Sequence, residues 1–528
     1  MRKNLYTYGA FIICFLIVQA CSVGPNYRKP ESVNNAASFR YGAGQTDSIV
    51  NLKWWELFND PILDTLIVKA LKNNKNALIA ASRVEQAREN VKFKKADNKP
   101  KVGYSASAGR TNMLFNVPTN PASTFSVTGN ASWEIDFWGK YRRSNEAAQA
   151  DLLASFYGKR AVQIAVISEV ATNYFNLLDY RTQLTIAKNT YASRDSILQI
   201  IQARFDEGYT HIIDVNQAQI QKAIAQSAVP QLERFVAFTE NNLSVLLGET
   251  PKEIQTIANL KEYDLPTKIP NGIPSDILLR RPDVLQAEQS YRAQNANVGV
   301  AQAMRFPSIS LTGMLGTGST ELSSLLDNGL GWGISAGITG PLFEFGKNAR
   351  RVDIERERAK QSLLNYEYTV LTSLQDVSNS LVEIETLVDE LQAKEDRLRA
   401  ANNASYLSSR RYIEGVTSYL EVIENQRQEF DAELSYSDNF QSLLNAHVKL
   451  YKSLGGGWIS QAEIDKYAQQ LADEQEVDVS TIDKDSLFYA GQIVDLVLSE
   501  EEEQARKDAK KAQRKLERQQ KKEDRKNK

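Results

Sequence analysis

Thiols and imidazoles are almost missing from this chain. Its 528 residues hold two cysteines and two histidines. Cys14 falls inside an apolar N-terminal stretch and Cys21 follows directly after it. His211 and His447 are far apart and neither sits near a ligand cluster, so each reads as a surface or packing residue. No nucleophile elbow, Walker loop or zinc spacing occurs. Also absent, after residue 20, is any apolar run of the roughly 20 residues that a membrane-spanning helix needs. Metal, redox and nucleophilic chemistry therefore lack their usual reagents, and helical membrane spans are excluded. A chain without such a span can still cross a membrane as a closed β-barrel.

What is present begins with a leader. Arg2 and Lys3 form a positive head before an apolar stretch from about Tyr8 to Val18. A charged start, a short apolar core and a small residue before the cut make a secretory signal, here residues 1–20 ending at Ala20. Val18-Gln19-Ala20-Cys21 resembles a bacterial lipobox, whose cysteine receives a diacylglycerol and, as the new N-terminus, an N-acyl chain. Each buried methylene contributes roughly 0.8 kcal/mol, so several chains anchor firmly. The alternative is an ordinary signal peptide beside an incidental cysteine. With Cys14 removed, the mature chain has no thiol pair for a disulfide or a metal.

The remainder is one plan written twice. Pro100 pairs with Pro307, Gly109 with Gly316, Gly139-Lys140 with Gly346-Lys347, Gly208 with Gly415, Thr210 with Thr417, Val215 with Val422, and Leu247-Gly248 with Leu454-Gly455, each at an offset of 207 residues. Solenoid units are only about 20–50 residues long, so this is a duplicated half-molecule. Each half opens on a helical pattern. Leu63, Leu66, Ala70, Leu71, Leu78, Ala81, Val84 and Ala87 mostly keep helical spacing behind an Asp60-Pro61 cap. Ser275-Asp276 opens the matching stretch.

The period then changes to two. Phe125, Val127, Gly129, Ala131, Trp133 and Ile135 alternate with polar residues, against a partner strand carrying Val102, Tyr104, Ala106 and Ala108. Ile309 to Leu315 and Leu330 to Ile338 repeat the pair. Alternating strands of about 9–11 residues suit a tilted membrane barrel, although a soluble sandwich with one wet face has the same pattern. Trp133, Trp138, Tyr141, Phe343 and Phe345 suit an interfacial girdle. Long helices follow, from about Tyr141 to Phe205 and Lys347 to Tyr412, the second with a seam of Val370, Leu374, Val377, Leu381, Ile384, Val388, Leu391 and Leu398. Both end at related turns, "RFDEGYTHIIDV" and "RYIEGVTSYLEV". In each, the glycine stops a helix and the threonine two residues on is placed to cap the next.

Together with "CSVGPNYRKP", "WWELFNDPILDTLIVKAL" and "PSDILLRRPDVLQAE", these features resemble the TolC-like outer-membrane efflux channels, specifically their lipoprotein branch, over nearly all of residues 21 to 460. The resemblance implies a mainly α chain with membrane β: a homotrimer with a 12-stranded outer-membrane barrel continuous with a periplasmic α-helical tunnel. It also implies a passive exit channel without enzymatic activity, working with a periplasmic adaptor and an inner-membrane efflux transporter. Cys21 is then the lipid anchor in the outer-membrane lipid. Gly208, Thr210, Gly415 and Thr417 match the tip motifs that adaptors recognise. Leu420, Glu421 and Glu424 are expected to ring the periplasmic gate, the two glutamates three apart on one helix face. Threefold symmetry would stack six carboxylates there and raise their pKa values. No cofactor, metal or nucleic acid is expected.

The division that follows is a signal (1–20), a lipidated leader and equatorial segment (21–60), repeat 1 (61–250, hairpin about 101–137, tip turn about 204–215) and an equatorial linker (251–275). Repeat 2 (276–458, hairpin about 308–342, tip turn about 411–422), an equatorial segment (459–499) and a charged tail (500–528) complete it. Residues 501–528 hold 12 Lys/Arg and 7 Asp/Glu, which reads as a solvated, disordered tail. Without tail and signal the net charge is −9, favouring cations weakly. The rival from another class is a non-conducting trimeric coiled-coil lipoprotein. It explains the heptads and Cys21 but neither the alternating strands nor the duplication. A glycan hydrolase is the enzymatic rival.

Overall fold

The structure, a computed structural model, describes residues 23–30, 55, 58–114, 117–256, 260, 263, 281–327 and 329–456. The signal, Cys21, Ser275-Asp276 and the tail lie outside them. The described elements run α1 (Pro61–Asn73), α2 (Lys75–Asp97), β1 (Lys101–Leu114), β2 (Val117–Ile135), α3 (Lys140–Asp206), α4 (Ile212–Leu246), α5 (Pro282–Ala303), β3 (Ser308–Ser319), β4 (Gly331–Thr339), α6 (Lys347–Ile413) and α7 (Tyr419–Ser453). Both ends of α6 and of α7 lie 207 residues beyond those of α3 and α4. The duplication is therefore exact in the helices, at 67 and 35 residues.

Local chemistry accounts for the boundaries. Asp60 accepts from the backbone of Ile62 (2.8 Å) and Leu63 (3.2 Å), with Pro61 as first helical residue. The expected single first helix is broken at Asn74. That residue is extended, donates to the Ala70 carbonyl and caps α2 through Oδ1 on Asn76 and Ala77. One side chain thus ends one helix and starts the next. At 1.5 Å per residue, each 67-residue helix is about 100 Å long.

The chain forms two compact units. One comprises Met1–Ser32, Ser82–Ser155 and Leu285–Tyr368 and holds the sheet, ordered β1-β2-β3-β4 with every pair antiparallel. The register collects the apolar set on one face. Val102 lies opposite Ala131, Tyr104 opposite Gly129, Gly129 opposite Leu315, Leu315 opposite Trp332, and Gly313 opposite Ile334. The other face is polar, with Ser105–Thr128 (2.7 Å) and Ser107–Ser126 (2.8 Å) hydroxyl pairs. In the single chain Val102 is 82%, Trp332 76% and Ile334 79% exposed. Such an exposed apolar face is what the lipid-facing side of a barrel presents. Four strands also leave two edges unpaired, which a bilayer tolerates only if further copies close the ring. At the strand ends Trp138 stacks on Phe306 (4.5 Å) and Phe343 meets Phe345 (4.5 Å).

The other unit comprises Val33–Ala81, Phe156–Val284 and Thr369–Lys528 and is helical where described. Its largest core joins Ile67, Ile167, Val170, Tyr174, Phe175, Leu178, Leu247 and Leu444, and Tyr263 donates to buried Asp60 beside it. The α6 seam packs through Val377, Leu381 and Ile384, then turns outward at Val388, which is 49% exposed. No described helix is long and apolar enough to cross a membrane.

Candidate functional site: the helical tips

At the α6–α7 turn, Gly415 adopts φ +76°, so that its N–H reaches the Tyr412 carbonyl (3.0 Å) and that of Val416 reaches Arg411 (2.9 Å). Only glycine takes this left-handed turn without strain. The α3–α4 turn repeats it at Gly208, φ +78°. Nothing lies within 4 Å of a Cβ built on either glycine, so bulk there would meet open space in the single chain.

The threonines do not cap. The N-cap residues are His211 and Ser418, neither bonding through its side chain. Thr210 instead donates to Asp214 and Thr417 to Glu421, each carboxylate lying in the first turn of the following helix. Each threonine stands one residue before its N-cap, where its hydroxyl can donate to the first-turn carboxylate.

Leu420 is 61% exposed. Glu421, in addition to Thr417, accepts from Arg411 at 2.9 Å. Glu424 is held by Arg427 (2.7 and 3.1 Å) and Gln428 (2.9 Å). Hydrogen bonds from Arg427 pull the Glu424 carboxyl below the usual range. Within the single chain each glutamate has a guanidinium beside it, Arg411 for Glu421 and Arg427 for Glu424. The Arg427 pairing was legible as an i,i+3 contact. Arg411, ten residues before Glu421, becomes a partner only when the hairpin closes.

The two hairpins pack through Ile201, Val215, Ala218, Tyr419, Val422 and Ile423. Burial pushes the Tyr419 hydroxyl up to about 12. Arg204 sits over the Tyr412 ring at 5.0 Å. Farther from the tip, buried Arg194 donates to the Gln221 carbonyl (2.9 Å) and lies 5.1 Å from the Phe430 ring. Burial lowers its pKa. Nothing in the local sequence marks Arg194, since its partners come from two other helices.

Cys21 lies outside the described residues, but the leader resumes two positions later. Val23 N–H donates to Trp138 O (3.1 Å), Arg143 to Asn26 Oδ1 (2.7 Å), and Tyr27 to Glu288 (2.8 Å). Gly24, φ +119°, leaves no room for a side chain: a Cβ would stand 2.5 Å from Gly299 Cα. The leader is thus fastened beside the sheet-to-helix junction. His447 is buried, its Nδ1 2.8 Å from Leu443 O, and among the described residues no His, Cys, Asp and Glu cluster could hold a metal.

Comparison with known proteins agrees with this architecture. The family described as "Outer membrane efflux protein" matches twice, over residues 66–249 and 273–456, again 207 apart. The chain is 32% identical over 450 residues to the cation efflux system protein CusC of Escherichia coli O6:H1, covering 84% of this chain and 97% of that one. It is likewise 32% identical over 473 residues to the probable efflux pump outer membrane protein TtgC of Pseudomonas putida (87% and 97%). Among solved structures, CusC superposes with a TM-score of 0.74 at 30% identity (83% and 100%). The Campylobacter jejuni CmeC outer membrane channel gives 0.76 at 27% (88% and 100%). The chain belongs to the outer membrane efflux protein family, the TolC-like channels, and has their fold of duplicated helix–hairpin–helix units built for a trimeric outer-membrane barrel and a periplasmic α-helical tunnel.

Proposed function

We propose that three copies of this chain form the exit duct of a tripartite efflux assembly, receiving cargo from a periplasmic adaptor and an inner-membrane transporter. The observation that carries this reading is the four-stranded sheet with one exposed apolar face, joined twice to helices of 67 residues. Three sheets give twelve strands and close the edges that one sheet leaves open. The non-conducting rival needs no such face. The duct conducts passively, and no catalysis is assigned to it. Reconstituted trimers in planar bilayers should show stepwise conductance; its absence would return the protein to the structural class.

Cys21 carries the lipid in this reading, supported by the leader's fastening from Val23 onward. Labelled palmitate should enter the wild type and not Cys21→Ser, while trimers persist. Gly208, Thr210, Gly415 and Thr417 form the adaptor-docking tips, supported by the open space around both glycines. Gly415→Trp should keep the trimer and lose adaptor crosslinking. Leu420, Glu421 and Glu424 line the aperture as a paired, near-neutral ring, supported by the Arg411 and Arg427 contacts. Two relatives of equal identity are named for cation and antibiotic efflux, so cargo choice falls to the transporter rather than to this tube.

A further inference from the structure

In the unit that holds the sheet, α2 and α5 begin 207 residues apart, and the strand pairs that follow them keep one register. Lys101 lies opposite Ser132, and Ser308 opposite Thr339. Each position on α5 therefore has a geometric counterpart on α2. One face of α5 and the turn after it is covered by the leader. Asn295 Nδ2 donates to the Pro25 carbonyl (3.5 Å), Gly299 lies against Gly24, and Phe306 stacks on Trp138, whose carbonyl takes the Val23 N–H. With Gln302 included, these positions are four, three and four residues apart, a single stripe. Along it the leader runs back from Pro25 to Val23, toward Cys21. With Cys21 as the lipid carrier, this stripe opens on the bilayer side of the molecule, and so does its counterpart.

The counterpart stripe on α2 is Arg88, Lys92, Lys95 and Lys99. Four cations stand where α5 has asparagine, glycine, glutamine and phenylalanine. The leader could not lie there as it does on α5. A Cβ on Gly24 would already stand 2.5 Å from Gly299 Cα, and the counterpart of Gly299 is Lys92, whose side chain fills that track. Arg88 pairs with Glu85 (2.6 Å) and Lys92 with Glu89 (2.7 Å), the second pair well exposed on both sides. Such surface pairs hold each other weakly. Lys95 and Lys99 are exposed and have no carboxylate partner among the described residues. The neighbouring Asp97 is taken by Lys101 (3.3 Å).

The stripe ends at the membrane. Val102, on the exposed apolar face of β1, follows Lys99 by three residues, at most about 10 Å of chain. A headgroup layer is itself roughly 5–7 Å deep. Lys99 therefore stands at headgroup level, with Lys95 and Lys92 one and two turns beneath it. The far end of the sheet offers no such charge. Residues 111–139 and 306–346 contain no lysine or arginine, and the β3–β4 turn carries Glu321 and Asp327 instead. Cation attraction is thus confined to the leaflet on the helical side. Since an anionic surface is felt over about 8 Å in physiological salt, Lys99 and Lys95 act most directly.

We propose that Lys92, Lys95 and Lys99 hold the phosphate of an anionic phospholipid from the tunnel-side leaflet. Each copy is then fixed to the bilayer twice, through the leader on α5 and through a bound headgroup on α2. The site rests on the reading of the chain as a lipid-anchored trimeric barrel. Native mass spectrometry of full-length, detergent-purified protein tests it, with added phosphatidylglycerol or phosphatidylcholine of identical acyl chains. The wild type should hold phosphatidylglycerol, up to one per copy, roughly tenfold more tightly than phosphatidylcholine. Lys92→Gln with Lys95→Gln and Lys99→Gln should bring the two lipids level. Lys188→Gln with Lys252→Gln and Lys449→Gln removes the same charge from half-exposed sites in the other unit and should not. Equal retention of both lipids by the wild type, or equal loss in the two triple variants, would overturn the site. Excess glycerol 3-phosphate should leave the lipid in place; displacement would make this a site for free phosphate esters and overturn the lipid assignment. The measured mass separates the two readings: trimers indifferent to headgroup charge remove the lipid site alone, whereas absence of trimers removes the duct with it.

Discussion

The two hairpins of this chain share helix lengths to the residue, yet their interiors differ. The α3–α4 hairpin carries Pro230 inside α4, the tight Gly248 end and the Arg181–Glu240 pair at 2.6 Å. The α6–α7 hairpin has Ser437 where the proline stands and two glycines after its last turn. Duplication supplied one shape, and divergence changed the side chains inside it. Period and length are carried by many residues and survive drift, whereas each long-range contact depends on a few side chains.

The strongest way to break this contrast is to transplant the proline. Ser437→Pro removes a helical N–H, clashes with the preceding turn and deletes the Asp179 donor, for a loss of about 3 kcal/mol or more. Thermal unfolding of the trimer should fall steeply, whereas Pro230→Ser should leave it unchanged or slightly raised. Comparable losses in both would mean that the two positions tolerate proline alike.

Next in size is a pH effect at the contact between α3 and α7. Burial pushes the Asp179 carboxyl up to about 6, Asp438 adds to the rise, and bonds from Ser437 and Gln183 oppose it. Since the folded pKa lies above the unfolded 3.8, the packed state gains by protonation. The α3–α7 contact is then most stable below about pH 4 and weakens as pH rises through 6, by roughly 3 kcal/mol in total. Hydrogen exchange of α7 amides at pH 5 and 7 should show it, and Asp179→Asn should flatten the difference. The equivalent residue, Thr386, has nothing to titrate.

A smaller effect separates the helix ends. Gly248→Ala and Gly455→Ala both strain a left-handed residue by about 1–2 kcal/mol, but only the first also drives a Cβ into backbone. The first should therefore lose about 1–3 kcal/mol more in melting experiments, the usual range for overpacking. Equal losses would mean that the α4 end relaxes as freely as the α7 end.

Smallest is the charge contrast at the tips. Arg411→Met bares Glu421, whereas Arg204→Met removes only a cation from the Tyr412 ring. An exposed pair contributes at most about 1 kcal/mol, so stability should hardly change. Reversal potentials in asymmetric salt should nevertheless shift toward cations for Arg411→Met, and less for Arg204→Met. An unmoved reversal potential would place Glu421 off the conduction path.

Much of the fold was legible because it is periodic. Alternation over Phe125–Ile135 predicts a two-faced strand wherever that strand goes, and Gly208 and Gly415 mark turns that no other residue makes cheaply. The first helix was misread as continuous because Asn74 is neutral in a pattern of apolar spacings, and only its two caps reveal the break. For the tip glutamates the shared helix face was legible and the Arg411 partner was not. Glu421 and Glu424 stand on an exposed face as their spacing implies, while the cation that neutralises Glu421 comes from across a turn.

By itself, then, the sequence determined what local backbone chemistry and residue period can settle: the doubling at 207 residues, helices about 100 Å long, two-faced strands and glycine turns at the tips. Tertiary structure alone decided which side chains meet. Asp179 needs Ser437, 258 residues away, and Arg194 needs Gln221 and Phe430 together. A side chain's register against a distant helix has no local signature, because it follows from how two long rods settle along each other.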